Sequence, residues 1–116
     1  IKAGMFDDFT KHYRDSVPMT QAGKPGTLLQ LAYVNEAASV VDIVRVFPSA
    51  EGLDLQLQGA DVRSKVAYQF IEPTRIEIYG TPNPYALEMM QKVAGSGIEV
   101  RIQPQFIGGF IRPNSD

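Results

Sequence analysis

The 116-residue chain has no cysteine, no tryptophan and a single histidine. Without cysteine there is no disulfide, no thiolate metal site and no thiol nucleophile. One histidine leaves too few nitrogen ligands for an ordinary zinc site. Charge of either sign is scarce as a field: 11 Lys and Arg against 13 Asp and Glu give a formal net charge of -2, and the isoelectric point is about 5.3. That balance supplies no electrostatic footprint for a nucleic acid. No apolar run reaches the roughly 20 residues that span a bilayer, and no signal peptide is visible, so no membrane partner is expected and a cytoplasmic location is the default. What is present is ordinary for a folded domain, 44% hydrophobic and 21% charged. The length suits one domain, here residues 1–113, with enough chain to bury a core.

The first helical pattern runs from residue 4 to about 17. Met5, Phe6, Phe9, Tyr13 and Val17 recur at spacings of three and four. Asp7 and Asp8 lie early and Lys11 and Arg14 later, the order the helix dipole favours. Pro18 is expected to end the helix, and residues 21–26 read as a loop. Thr27–Val34 and Val40–Phe47 are β-rich segments of similar length, and Asn35–Ser39 suits a hairpin turn between them. Both carry apolar residues on both faces, so a second face must be covered by a cavity or another subunit.

Ser49 is placed to cap the next helix, with Ala50, Leu53 and Leu57 as its stripe, and Gly59 interrupts it. Asp61 can cap a short helix carrying Val62, Val66 and Phe70. Glu72-Pro73 breaks the chain, Arg75–Tyr79 alternates as a strand, and Asn83-Pro84 opens a helix ending at Gly95. Ile98–Ile102 is the last core strand. Phe106–Ile111 continues extended, with Gly108-Gly109 as a bend. Phe9, Tyr13, Leu31, Ile43, Leu53, Ile76, Leu87, Met90 and Val100 are the expected core. Ile1–Gly4 resembles the tail of a strand entering a helix, so part of a first strand is expected upstream. Restoring that strand gives βαββαβ with an additional helix. The expected fold is therefore α+β, a ferredoxin-like sandwich with an antiparallel sheet and its helices on one face.

The lead-in KAG followed by MFDDFTKHY, the strand PGTLLQLAY and the join FPSAEGLDLQL together resemble the dimeric α/β-barrel superfamily, in its antibiotic-biosynthesis-monooxygenase-like group. PGTLLQLAY is similar to that family's "PG-c-l-x-y" strand. FPSAEGLDLQL is similar to its "W-x-S-x-E-A-x-x-x-H-L" pattern, with Ser49, Glu51 and Leu57 matching. Phe47 stands where the family has tryptophan, and Gln56 where it has histidine. The resemblance implies a homodimer whose sheets close into a barrel. For many relatives it also implies oxidation of aromatic or quinol-like substrates with no cofactor and no metal.

His12, one position off the apolar stripe, is the candidate general base for a phenolic substrate, or else a half-exposed helix-edge histidine. Arg45, in mid-strand among aliphatic residues, either pairs with a carboxylate across a subunit interface or holds a phenolate. Tyr33, Tyr68 and Tyr79 offer hydroxyls to orient a small hydrophobic or aromatic ligand, or serve as aromatic core with wet tips. Gln56 could hydrogen-bond such a ligand without titrating. Two functions are thus expected in competition. One is a cofactor-independent monooxygenase-type enzyme. The other is a non-catalytic dimeric ligand-binding or structural module.

Overall fold

Leu29–Asn35 (β1) and Val40–Val46 (β2) form an antiparallel hairpin in which Leu31 faces Val44, Gln30 faces Arg45 and Tyr33 faces Asp42. The turn closes on polar side chains. The Asn35 Oδ1 accepts from the Ala38 N–H at 3.1 Å, and Ser39 takes a left-handed φ of 55°. In this computed structural model, which describes residues 1–95 and 97–112, the element order is Phe6–Gly23 (α1), β1, β2, Ala50–Leu57 (α2), Ala60–Ala67 (α3), Arg75–Tyr79 (β3), Pro84–Ala94 (α4) and Glu99–Gln103 (β4). The described residues are α+β, with four helices and two small sheets among them.

The second sheet is β3 with β4, paired in parallel with Ile76 opposite Val100 and Ile78 opposite Ile102. The antiparallel pairing expected throughout holds for the hairpin and not here. Parallel neighbours need a crossover, and α4 supplies it. Helix α4 also packs against α2 and α3, so these three helices form a shared layer. Among the described residues the two sheets share no strand.

Several sequence expectations need correction. Helix α1 does not stop at Pro18 but continues to Gly23. A proline inside a helix deprives one carbonyl, here that of Arg14, of its donor. Val17, Pro18 and Met19 are exposed, so water can serve that carbonyl. Asp61 lies in the first turn of α3 rather than at its cap, which is Gly59 with φ 77°. Ser49 and Asn83 stand at the cap positions of α2 and α4, yet neither side chain bonds its helix end. The Asn83 amide instead donates to Asp54 Oδ2 at 2.8 Å, tying the start of α4 to α2. The stretch Phe106–Ile111 pairs with no strand.

The buried core is small: Phe9, Ala60, Ala86 and Met90, with Gln56 as the buried polar residue. Tyr13, Ile43, Leu53, Ile76, Leu87 and Val100 are half-buried. Leu31, expected in the core, is 44% exposed. Its position alternates with Gln30 and Ala32, and those two face α1.

Helix α2 passes close to the backbone before β1. A Cβ built on Gly52 would lie 2.9 Å from the Gly26 carbonyl oxygen and 3.2 Å from Phe47 Cβ, so only glycine lets the two segments touch. The end of α2 is held by cations. Lys24 Nζ donates to the carbonyls of Leu55 and Gln58 at 2.7 and 3.2 Å, and Arg63 donates to those of Gln58 and Gln56. Positive charge at a helix C-terminus is stabilising. Burial, and then the neighbouring Arg63, lower the Lys24 pKa from its ordinary value.

Candidate functional site

The hairpin has two unlike faces. Gln30, Ala32, Val34, Val41, Ile43 and Arg45 share the face toward α1. Leu29, Leu31, Tyr33, Asn35, Val40, Asp42, Val44 and Val46 share the other; Val46 at its end is half-buried, while Leu29, Leu31, Tyr33, Val40 and Val44 are 39%, 44%, 68%, 45% and 49% exposed.

On the covered face, one amide organises a polar trio. Arg45 Nε donates to Gln30 Oε1 at 2.9 Å, and Gln30 Nε2 donates to the Tyr13 hydroxyl at 3.1 Å. The orientation of the amide follows from donor chemistry. A guanidinium can only donate, so the amide oxygen must face Arg45 and the amide nitrogen must face Tyr13. Much of the Arg45 side chain still reaches solvent, while its charged end is crowded by protein. Burial of that end is the leading influence on its pKa and lowers it; the nearby Tyr13 raises it and Arg63 lowers it. The trio fastens α1 to the hairpin.

His12 lies elsewhere. Its ring packs on Phe70 at 5.2 Å between centroids, tilted 33°. It lines an open cleft of about 270 Å³ together with Asp8, Lys11, Asp15 and Phe70. Lys11 and Asp15 pair there at 2.8 Å. None of Arg45, Tyr33, Gln56, Tyr68 or Tyr79 lines this cleft. Neighbouring helix positions diverge in direction, so His12 and Tyr13 serve different surroundings. A second hollow of about 180 Å³ lies between α1 and the hairpin, walled by Phe9, Tyr13, Ala32, Val34 and Val41.

The other named residues are scattered. Gln56 is buried, and its Oε1 accepts from Thr27 Oγ1 at 2.7 Å, locking α2 to the approach to β1. The Tyr68 carbonyl accepts from Lys2 Nζ at 2.6 Å. Tyr79 is exposed and its hydroxyl donates to Glu77 Oε2 at 2.6 Å. Tyr33 stands on the outward face. Of the six residues singled out from the sequence, the structure bonds none to another; Arg45 is joined to Gln30 and, through it, to Tyr13. Gln30 carries a signal that could have found it: closing the hairpin between Asn35 and Val40 places it across from Arg45. Among the described residues, no three His, Asp or Glu side chains converge as metal ligands. No described helix is long and apolar enough to cross a membrane.

The two sheets also differ in how their outward faces meet water. On β3 and β4 that face is charged and self-paired, with Arg75 to Glu77 at 3.0 Å and Arg101 to Glu99 at 2.9 Å. On the hairpin it is largely aliphatic, with Leu29, Leu31, Val40 and Val44 interrupted by the exposed Asp42 opposite Tyr33. Beyond β4, Phe106, Ile107, Phe110 and Ile111 are 83%, 99%, 81% and 76% exposed. The accessible surface totals 8607 Å², where a folded monomer of 12.8 kDa exposes about 6,300 Å².

Comparison with protein-family models, with curated proteins and with solved structures gives no match.

Proposed function

We propose that this chain is a self-associating module. In this reading two copies pack through the outward face of β1–β2, in the manner of a ferredoxin-like dimeric α/β barrel. The observation that carries the reading is the exposed, largely aliphatic face of the hairpin, set against the charged outward face of β3–β4. A sheet face meant for water would show polar residues at Leu29, Leu31 and Val44, as it does at Glu77 and Arg101. Monomers seldom leave an apolar patch beyond a few hundred Å² uncovered.

The area supports a second copy as the occupant. Each chain exposes roughly 2,300 Å² more than a monomer of this mass, so two copies carry about 4,600 Å², within the roughly 2,000–5,000 Å² that obligate homodimer interfaces bury in total over both partners. Self-association through one patch closes most economically as a two-fold dimer. The exposed Phe106–Ile111 segment is an apolar arm for the partner, and Gly108 and Gly109, with φ of 153° and 154°, let it bend.

An enzymatic reading asks for a base and an anion holder on one substrate. His12 and Arg45 stand in separate surroundings, so association is the reading the geometry supports better. Sedimentation at micromolar concentration tests it. The expected result is a dimer, weakened when the chain is cut after Pro104. A full-length chain that sediments as a monomer refutes the reading.

A further inference from the structure

We infer that the C-terminal end of α2 and the neighbouring end of β2 form a phosphate-binding site, with Lys24, Arg45 and Arg63 as its cations and the phosphate group of a small molecule as its ligand. Two of the three charged heads share one acceptor. Lys24 Nζ and Arg63 Nη1 both donate to the Gln58 carbonyl, at 3.2 and 2.6 Å. That carbonyl is neutral, so the fold holds two cations side by side against their repulsion. Arg45 approaches from the hairpin. The chain from Lys24 to Leu28 passes from the end of α2 to the end of β2. Along it Thr27 Oγ1 donates to Gln56 Oε1 at 2.7 Å, and the Leu28 N–H donates to the Val46 carbonyl at 2.8 Å, next to Arg45. Burial is the leading cause that lowers the pKa of both Lys24 and Arg45, and the charge of Arg63 lowers each further.

No carboxylate among the described residues pairs with Lys24, Arg45 or Arg63. The acidic residues nearby in sequence are turned elsewhere. Asp54 accepts from Asn83 at 2.8 Å, Asp61 lies 3.9 Å from Lys92, and Asp42 belongs to the outward face of the hairpin. A helix C-terminus supplies about half a negative charge, so three cations beside it leave an excess of about two and a half. Donors are in excess as well. An ammonium carries three N–H groups and a guanidinium five. Lys24 spends two on the carbonyls of Leu55 and Gln58, Arg63 spends two on those of Gln58 and Gln56, and Arg45 spends one on Gln30. A phosphate monoester brings a charge of about -1.5 to -2 and three strong acceptor oxygens, which matches both excesses. A lone carboxylate brings one charge and fewer acceptors. Guanidinium forks also suit phosphate geometry.

All three cations belong to one copy, so this inference is independent of self-association. The probe is inorganic phosphate, titrated into the full chain at neutral pH and about 0.15 M salt, with acetate titrated beside it. Arginine side-chain N–H resonances are read by NMR. Those of Arg45 and Arg63 should move and saturate with a Kd of about 1 mM or tighter, while those of Arg14, Arg75, Arg101 and Arg112 hold still. Arg45→Gln and Arg63→Gln should each weaken binding about tenfold or more, the usual weight of a hydrogen bond to a charged group. Lys65→Gln, which removes a charge from α3 outside the cluster, should leave the affinity within about twofold. Where a variant loses its dispersed spectrum, the shifts in the unaltered chain decide. No saturable shift by about 10 mM phosphate, tenfold past the expected Kd, overturns the site. So do shifts spread over all the arginines, acetate binding as tightly as phosphate, or equal losses in Lys65→Gln and Arg63→Gln. An affinity that changes with protein concentration also overturns it, since the anion would then lie between copies.

Discussion

Replacing Leu31 and Val44 together by serine separates an interface from a merely exposed strand. The two residues face each other across the hairpin and keep 44% and 49% of their surface in water. Completing the burial of a side chain of this size stabilises by a fraction of the roughly 1.5–3 kcal/mol that full burial contributes. With a little under half remaining, each side chain offers about 0.7–1.5 kcal/mol to an interface. A two-fold dimer contains four of them, so the pair of substitutions should weaken association by about 3–6 kcal/mol, or about 10² to 10⁴ in Kd. The monomer should keep its secondary structure by circular dichroism, because the substituted atoms already face water. Sedimentation across a concentration series reads the dimer. A Kd that moves less than about threefold, below 1 kcal/mol, would refute this face as the contact.

Two further outcomes follow from local geometry. Gly52→Ala should lower stability by about 1–3 kcal/mol in a denaturant melt, the usual cost of overpacking, because the new methyl meets the Gly26 carbonyl and Phe47 Cβ; a gain, as helix propensity alone would give, would show that α2 can shift away. The Tyr79 hydroxyl, and then Arg75, hold the Glu77 carboxyl below its ordinary value. Its contribution to the β3–β4 pair is therefore present above the usual glutamate range and is lost as pH falls through that lowered value. In Tyr79→Phe the NMR titration of Glu77 should move back up, and an unchanged titration would remove the hydroxyl as the main cause.

The local elements are legible in the residues. Arg75–Tyr79 alternates, Asn83-Pro84 starts a helix and Gly95 ends it, and the hairpin brackets a polar turn; these are short-range preferences that need no partner. The two-sided apolar character of β1 and β2 is equally plain from the order of Leu29, Leu31 and Val44, and it pointed to a covered second face. Tertiary structure decided what local preference leaves open. Pro18 stays inside a helix because that turn faces water. Asn83 leaves its cap to reach Asp54, and Gln56 bonds Thr27 in the interior, since a buried amide goes to whichever partner packing brings near. His12 and Arg45, both plausible from their chemistry, end in different surroundings because a residue's neighbours depend on how α1 is rotated over the hairpin. The parallel pairing of β3 with β4 is likewise a long-range fact. Hydrogen bonds between strands join residues far apart in sequence, and no local pattern records which edge meets which.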